Sequence, residues 1–154
     1  MRLLHRSETL IVEGSDVVRD LRLADGRRVL LLGDVVGGLG SIASHTLDDL
    51  KQLEGRFAAT IVDERRDACL LLGDRFGQLD LYYQRTDGRT VVGTDLRLLP
   101  IAHAGGAFDQ VALAHTFCVY GHRPAKKQTP YRDVHRLGVD EIASIAAGRF
   151  HLEA

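Results

Sequence analysis

Between Arg56 and Gly93 the chain is divided into short β-like runs by closely spaced turn signals, and this spacing limits the fold more than any other feature. Phe57 to Val62 runs into Asp63-Glu64-Arg65-Arg66-Asp67, and Ala68 to Leu72 runs into the stretch Gly73 to Gly77. Leu79 to Gln84 then leads through Thr86-Asp87-Gly88-Arg89 to Thr90 to Gly93. Connections this short join antiparallel strands, because a parallel pair needs a crossover of about a dozen residues. The same grammar appears earlier, where Thr9 to Val12, Val17 to Leu23 and Arg28 to Leu32 are β-like and Ala24-Asp25-Gly26-Arg27 is a hairpin signal. Helical spacing is limited to two places. Leu47, Leu50 and Leu53 predict a short helix capped at Ser44 or Thr46, and Asp109 to Val119 predicts another. The tail Val139 to Leu152 fits a helix through Ile142 and Ile145, and equally a hairpin through Gly148. The class is therefore α+β with mainly antiparallel sheets.

A chain of 154 residues is expected to form a single domain, 1–154, with one core. Its 45% hydrophobic and 27% charged residues exclude disorder. Twenty Lys and Arg against 21 Asp and Glu leave a net charge of -1, which gives no footing for a nucleic-acid partner. The run Val29 to Leu32 is too short for a membrane span, and the start Met1 to Glu8 lacks the apolar stretch of a secretory signal. Cys69 and Cys118 match no metal or redox spacing, so reduced thiols and a cytoplasmic location are expected.

Four segments are more specific: Leu53-Glu54-Gly55-Arg56-Phe57-Ala58 followed by Asp63; Gly73-Asp74-Arg75-Phe76-Gly77-Gln78-Leu79-Asp80-Leu81-Tyr82-Tyr83; Gly93-Thr94-Asp95-Leu96-Arg97-Leu98-Leu99; and Thr129-Pro130-Tyr131-Arg132-Asp133-Val134-His135-Arg136-Leu137. In order and spacing they resemble the second half of the glutaminase domain of asparagine synthetases. The resemblance extends from about Leu53 to Phe150. It implies an αββα sandwich of the N-terminal-nucleophile hydrolase type, with Leu53, Gly55, Phe57, Asp74, Arg75, Gly77, Tyr82, Asp95 and Arg97 as its structural motif residues.

The departures from that pattern bear on activity. A glutaminase of this class uses a terminal Cys whose own amino group is the general base. Here Arg2 follows Met1, so Met1 is expected to be retained, with no catalytic residue in the chain. The resemblance also implies an Asn-Gly-Glu oxyanion segment before Leu53. Leu32-Gly33-Asp34-Val35-Val36-Gly37 stands there without the Asn, and the stretch onward to Leu53 is shortened. A shortened, Cys-less version is similar to the N-terminal part of lasso-peptide cyclases, which activate a carboxylate with ATP and close a macrolactam. The implied role is an inactive glutaminase-like domain supporting an amide-forming ligase domain or subunit. ATP and Mg would belong to that partner alone, this chain needing no cofactor, and a precursor peptide would be a further partner. Two alternatives stay open: an amidohydrolase with a relocated nucleophile at Cys69, Cys118 or Ser7, and a free-standing peptide- or partner-binding module.

Other patterns are weighed as follows. His115, Cys118 and His122 have helical spacing suited to a metal, but a core helix explains them, and no metal is expected. Gly38-Leu39-Gly40-Ser41-Ile42-Ala43 matches a dinucleotide fingerprint, yet the hairpins downstream contradict the parallel sheet it requires. Asp74 and Arg75 read as an exposed turn pair of small energetic value, and Gly77 as a residue with positive φ. His122, Arg123, Lys126 and Lys127 read as a solvated basic loop. In the resembling synthetases the ligase domain packs on the region after the Asp-x-x-Gly turn and on the last hairpin. That places a partner or homodimer interface at Leu81, Tyr82, Tyr83, Ile142 and Phe150.

Overall fold

The computed structural model describes residues 2–6, 11–14, 18–38, 46–86, 89–99, 107–120, 127–139 and 141–153. The chain divides into two compact units, Met1–Leu79 with Val139–Ala154, and Asp80–Gly138. Among the described residues every strand pairing is antiparallel, as the short turns require.

The first unit is built on a six-stranded sheet. Its strands are β3 (Arg19–Arg22), β4 (Arg28–Val35), β5 (Gly55–Asp63), β6 (Ala68–Gly73), β10 (Ile142–Ala146) and β11 (Arg149–Glu153), in the spatial order β11-β10-β6-β5-β4-β3. Strands β1 (Arg2–Arg6) and β2 (Ile11–Gly14) form a separate ribbon. The register aligns Leu31, Ala59, Leu72 and Ile142 across four strands, which puts their side chains on one face. Helix α1 (Leu47–Lys51) adds Leu50 to that cluster, together with Phe57, Ile61 and Val29. Burying a side chain such as Leu50 contributes about 1.5–3 kcal/mol, more than so short a helix could supply by itself. Ala58, Val62, Leu30, Cys69 and Leu71 on the opposite face are also buried, so the middle of the sheet is covered on both faces.

The second unit holds the three-stranded sheet β8-β7-β9, made of β7 (Tyr82–Thr86), β8 (Arg89–Gly93) and β9 (Val134–Arg136). Leu99 and Val134 form its small core, with Tyr82, Val91, Leu96 and Tyr131 packed on it. Helix α2 (Gln110–His115) starts at Asp109, whose carboxylate accepts the Val111 and Ala112 N–H groups. It widens into a π-turn, Thr116–Tyr120, where the Thr116 hydroxyl donates to the Ala112 carbonyl at 2.8 Å and competes with the regular ladder.

Three local expectations are resolved. Thr46 rather than Ser44 caps α1, and it does so reciprocally with Asp49. The ambiguous tail is the hairpin β10–β11, turning at Ala147 and Gly148, both at positive φ, as a two-residue hairpin loop demands. The run predicted from Leu79 pairs as a strand only from Tyr82, and Leu79 itself belongs to the turn described next.

Candidate functional site

The segment Gly73 to Leu79 is organised by one carboxylate. Asp74 is only 2% exposed, and its Oδ1 accepts the N–H groups of Phe76 and Gln78 at 3.0 Å each. Its Oδ2 accepts the Leu79 N–H at 3.0 Å, its carbonyl accepts the Gly77 N–H, and its own N–H donates to the Phe57 carbonyl at 2.9 Å. The side chain therefore replaces a missing strand partner for the whole turn. This corrects the exposed Asp74-Arg75 pair expected from sequence: the carboxylate points into the turn while Arg75 is exposed. Gly77 does lie at positive φ, +58°, and a Cβ there would come within 3.1 Å of Val139 Cγ2.

The Leu53-x-Gly55-x-Phe57 motif joins the same assembly, because Phe57 is both the largest fully buried side chain among the described residues and the acceptor for the Asp74 N–H. Leu53 packs against the core cluster. Gly55 sits at a close approach of β4 and β5: a Cβ there would stand 2.3 Å from the Asp34 carbonyl oxygen. No other residue type fits that approach. Thus Leu53, Gly55, Phe57, Asp74 and Gly77 come together in the first unit, and their joint product is a rigid turn. With three backbone donors on it, the Asp74 carboxylate is engaged as a scaffold rather than left open for proton transfer.

Tyr82, Asp95 and Arg97 lie in the second unit. Tyr82 donates from its hydroxyl to Asp80 Oδ2 at 2.9 Å, and Arg136 reaches Asp80 Oδ1 at 3.3 Å. Neither Asp80 nor Arg136 is visible as a pair in the sequence, since they meet only when β9 aligns beside β7. Asp95 caps the 3-10 turn Leu96–Leu98, accepting the Arg97 N–H at 2.9 Å, and the Arg97 guanidinium closes on the same carboxylate. That contact pulls the Asp95 carboxyl down to about 2. Thr129 is 2% exposed and ties the segment before β9 through its hydroxyl, which donates to the Val134 carbonyl at 2.7 Å and accepts the Tyr131 N–H. Buried Gln84 on β7 has an Oε1 with no hydrogen-bond partner among the described residues, a feature no sequence pattern announces.

The residues assigned to a partner surface have varied surroundings. Leu81 is buried, Tyr82 packs on the Leu99–Val134 core, and Tyr83 stacks obliquely on His135 at 5.4 Å. Ile142 packs on the core of the first unit, and Phe150 is half-buried on β11. Among the described residues the large exposed apolar side chains are Val36, Phe76, Phe108, Val111, Phe117 and Val139.

Both cysteines are free thiols. Burial in the sheet, with Asp67 nearby, pushes the Cys69 thiol up to about 11, which keeps it protonated and poorly nucleophilic. Cys118 is exposed on the π-turn. Among the described residues no cluster of His, Cys, Asp and Glu could hold a metal ion; His122 of the expected trio, Ser7 and most of the basic loop lie outside them. Residues 39–45, with most of the glycine fingerprint, also lie outside. No described helix is long and apolar enough to cross a membrane. An open cleft of about 610 Å³ lies between the turns after β3 and β5 and is lined by Arg22, Arg27, Arg65 and Arg66 with Asp25, Asp63 and Glu64. Three of its four arginines are paired, Arg27 with Asp25, Arg66 with Asp63, and Arg22 with Glu64.

The Asp-x-x-Gly turn locked to the Gly-x-Phe strand joins two of the segments on which the resemblance rests. Residues 39–154 match the glutamine amidotransferase domain family, and the chain belongs to that family. No curated protein matches the chain.

Proposed function

We propose that this glutamine amidotransferase domain does not hydrolyse glutamine and instead supports an asparagine-synthetase-like, ATP-dependent amide-forming ligase, of the kind that closes a lasso-peptide macrolactam, with the αββα arrangement of the N-terminal-nucleophile hydrolases. The observation that carries this reading is the unequal fate of its motifs. The scaffold turn is complete, with Asp74 satisfied at every oxygen. Where the resemblance places Asn-Gly-Glu, Leu32-Gly33-Asp34 stands on β4, and the Asp34 carboxylate is exposed and paired to Arg19 at 3.0 Å. An oxyanion needs donors aimed at it, and Leu32, which stands where the Asn would, has no side-chain donor. Cys69, held protonated, is a poor substitute nucleophile. In a macrolactam-forming ligase the nucleophile is a peptide amine, so no ammonia source is needed.

Among the described residues the exposed thiol of Cys118 favours the alternative, an amidohydrolase with a relocated nucleophile. The two are separated by incubating the protein with glutamine and with a diazo-ketone glutamine analogue. The expected result is no ammonia above buffer and no adduct by intact mass. Ammonia release that disappears in Cys118→Ala or Cys69→Ala would overturn the proposal. Its ligase half is tested by reconstitution with a ligase encoded beside this chain: ATP-dependent amide formation should require the added domain, and equal activity without it would overturn that half.

A further inference from the structure

The three-stranded sheet of the second unit has two unlike edges. On β9 the Arg136 N–H donates to the Lys127 carbonyl at 2.9 Å and His135 faces Gln128 in an antiparallel bridge, so the chain covers that edge itself. On β8 (Arg89–Gly93) the pairing among the described residues is with β7 alone. An edge strand with unpaired backbone groups is a template for another strand. We propose that the occupant is β8 of a second copy of this chain, paired antiparallel about Val91 so that the two three-stranded sheets join through a two-fold axis.

The neighbouring strand fixes which groups point outward. The Leu137 N–H donates to the Leu81 carbonyl at 2.7 Å, so Leu81 turns its backbone toward β9, and alternation turns Tyr82, Gln84 and Thr86 toward β8. Those three exchange bonds with Gly93, Val91 and Arg89, their partners in register. The N–H and C=O groups of Thr90 and Val92 therefore point away from β7, and among the described residues no backbone group meets them. Two copies exchange all of these bonds when Thr90 of each lies opposite Val92 of the other. That register places Val91 opposite Val91 and Arg89 opposite Gly93, twice over.

The side chains suit the same register. Thr90, Val91 and Val92 are all β-branched, the type that packs best on a pleated surface. Arg89 is the one charged residue of β8, and it falls opposite a glycine, so no like charges meet. Val91 packs on the core of its own unit, and at the axis it meets its twin at a non-hydrogen-bonded position. There opposed side chains are closest, with Cα atoms about 4.5 Å apart. Sheet edges are commonly guarded by charge. On β3 stand Arg19, Asp20 and Arg22, and on β11 Arg149, His151 and Glu153, whereas the middle of β8 carries no such guard. Five-residue strands bury little surface, so the dimer is weak and reversible.

The test is sedimentation of the whole chain, joined to cross-linking that reads the register. The wild type should show a concentration-dependent dimer. Val92→Pro removes an N–H that β7 does not use, so it should keep the circular dichroism of the wild type and weaken the dimer at least tenfold. In a Cys118→Ser background, Val91→Cys should form a covalent dimer under oxidised glutathione, because the two thiols face each other at the axis. Arg89→Cys should not, because its twin lies four residues away, ~13 Å along the strand. A wild type that stays monomeric at the highest concentration reached would overturn the proposal. So would a folded Val92→Pro that associates as well as wild type, or Arg89→Cys cross-linking as readily as Val91→Cys. The cysteine pair involves no proline, and it decides the matter should Val92→Pro unfold. The pairing stands apart from the ligase role, and a positive glutaminase assay would leave it untouched.

Discussion

Asp74 and Asp95 each organise a short turn, and they do it in opposite surroundings. Asp74 is buried and spends its carboxylate on three backbone N–H groups. Asp95 lies at the surface and shares its carboxylate between one backbone N–H and the guanidinium of Arg97. In sequence both read as motif residues, and Asp74 beside Arg75 reads as half of an exposed pair of small value. The structure separates them: Asp74 is buried and Asp95 is not. An exposed pair is weakened by water and by the entropy of two long side chains, whereas buried donors deprived of their acceptor have no substitute.

The largest expected effect is therefore Asp74→Ala, which strands the N–H groups of Phe76, Gln78 and Leu79 near a packed strand. We expect a loss of about 3–5 kcal/mol, with a thermal midpoint lower by about 10 °C. Asp74→Asn should recover part of it, since an amide oxygen still accepts. A midpoint within error of wild type for Asp74→Ala would mean that the turn is held by something other than this carboxylate.

Gly77→Val comes next. A β-branched residue at φ +58° costs about 1–3 kcal/mol, and the new Cβ must also displace the Val139 methyl at 3.1 Å. The sequence by itself argues that this change outweighs Asp74→Ala, because a glycine in a turn is conspicuous and a carboxylate's depth is not. The structure inverts the order, and thermal melts of the two variants side by side decide it.

That inversion marks where sequence reasoning ends. Antiparallel strands, the capped helix near Leu47 and the helix after Asp109 are legible because each rests on residues close in the chain, where period and turn chemistry act. The long strand β5 is legible for the same reason. What is not legible depends on strands brought together from afar. The pairing of Asp80 with Arg136 requires β9 beside β7, and the burial of Leu81 depends on how its unit folds. The tail is ambiguous in sequence because Ile142 and Ile145 satisfy the helical period. The deciding factor, a turn at Ala147 and Gly148 with β6 waiting to pair with β10, is tertiary. The site follows the same rule: Gly55, Phe57 and Asp74 are each recognisable by motif, but their union through the Asp74 N–H to the Phe57 carbonyl is not.

Asp95 supplies the smallest effect and the cleanest check on the comparison. The Arg97 contacts, led by the side-chain hydrogen bond, hold its folded carboxyl at about 2, below the ordinary value of 3.8. A depressed folded value means that the unfolded chain binds the proton more readily. The stabilisation is then present above the ordinary carboxylate range and fades as pH falls from about 4 through about 2. At the surface this contribution is the weakest of the three, so Asp95→Ala should shift the thermal midpoint at neutral pH less than either change at the Asp74 turn. Its signature is local: in the wild type the Asp95 side-chain carbon resonance should titrate near 2, and in Arg97→Gln it should move back toward the ordinary value. A titration near 3.8 in the wild type would show that solvent already separates the pair. A midpoint loss for Asp95→Ala as large as that for Asp74→Ala would break the rule that burial, rather than formal charge, sets the value of these two carboxylates.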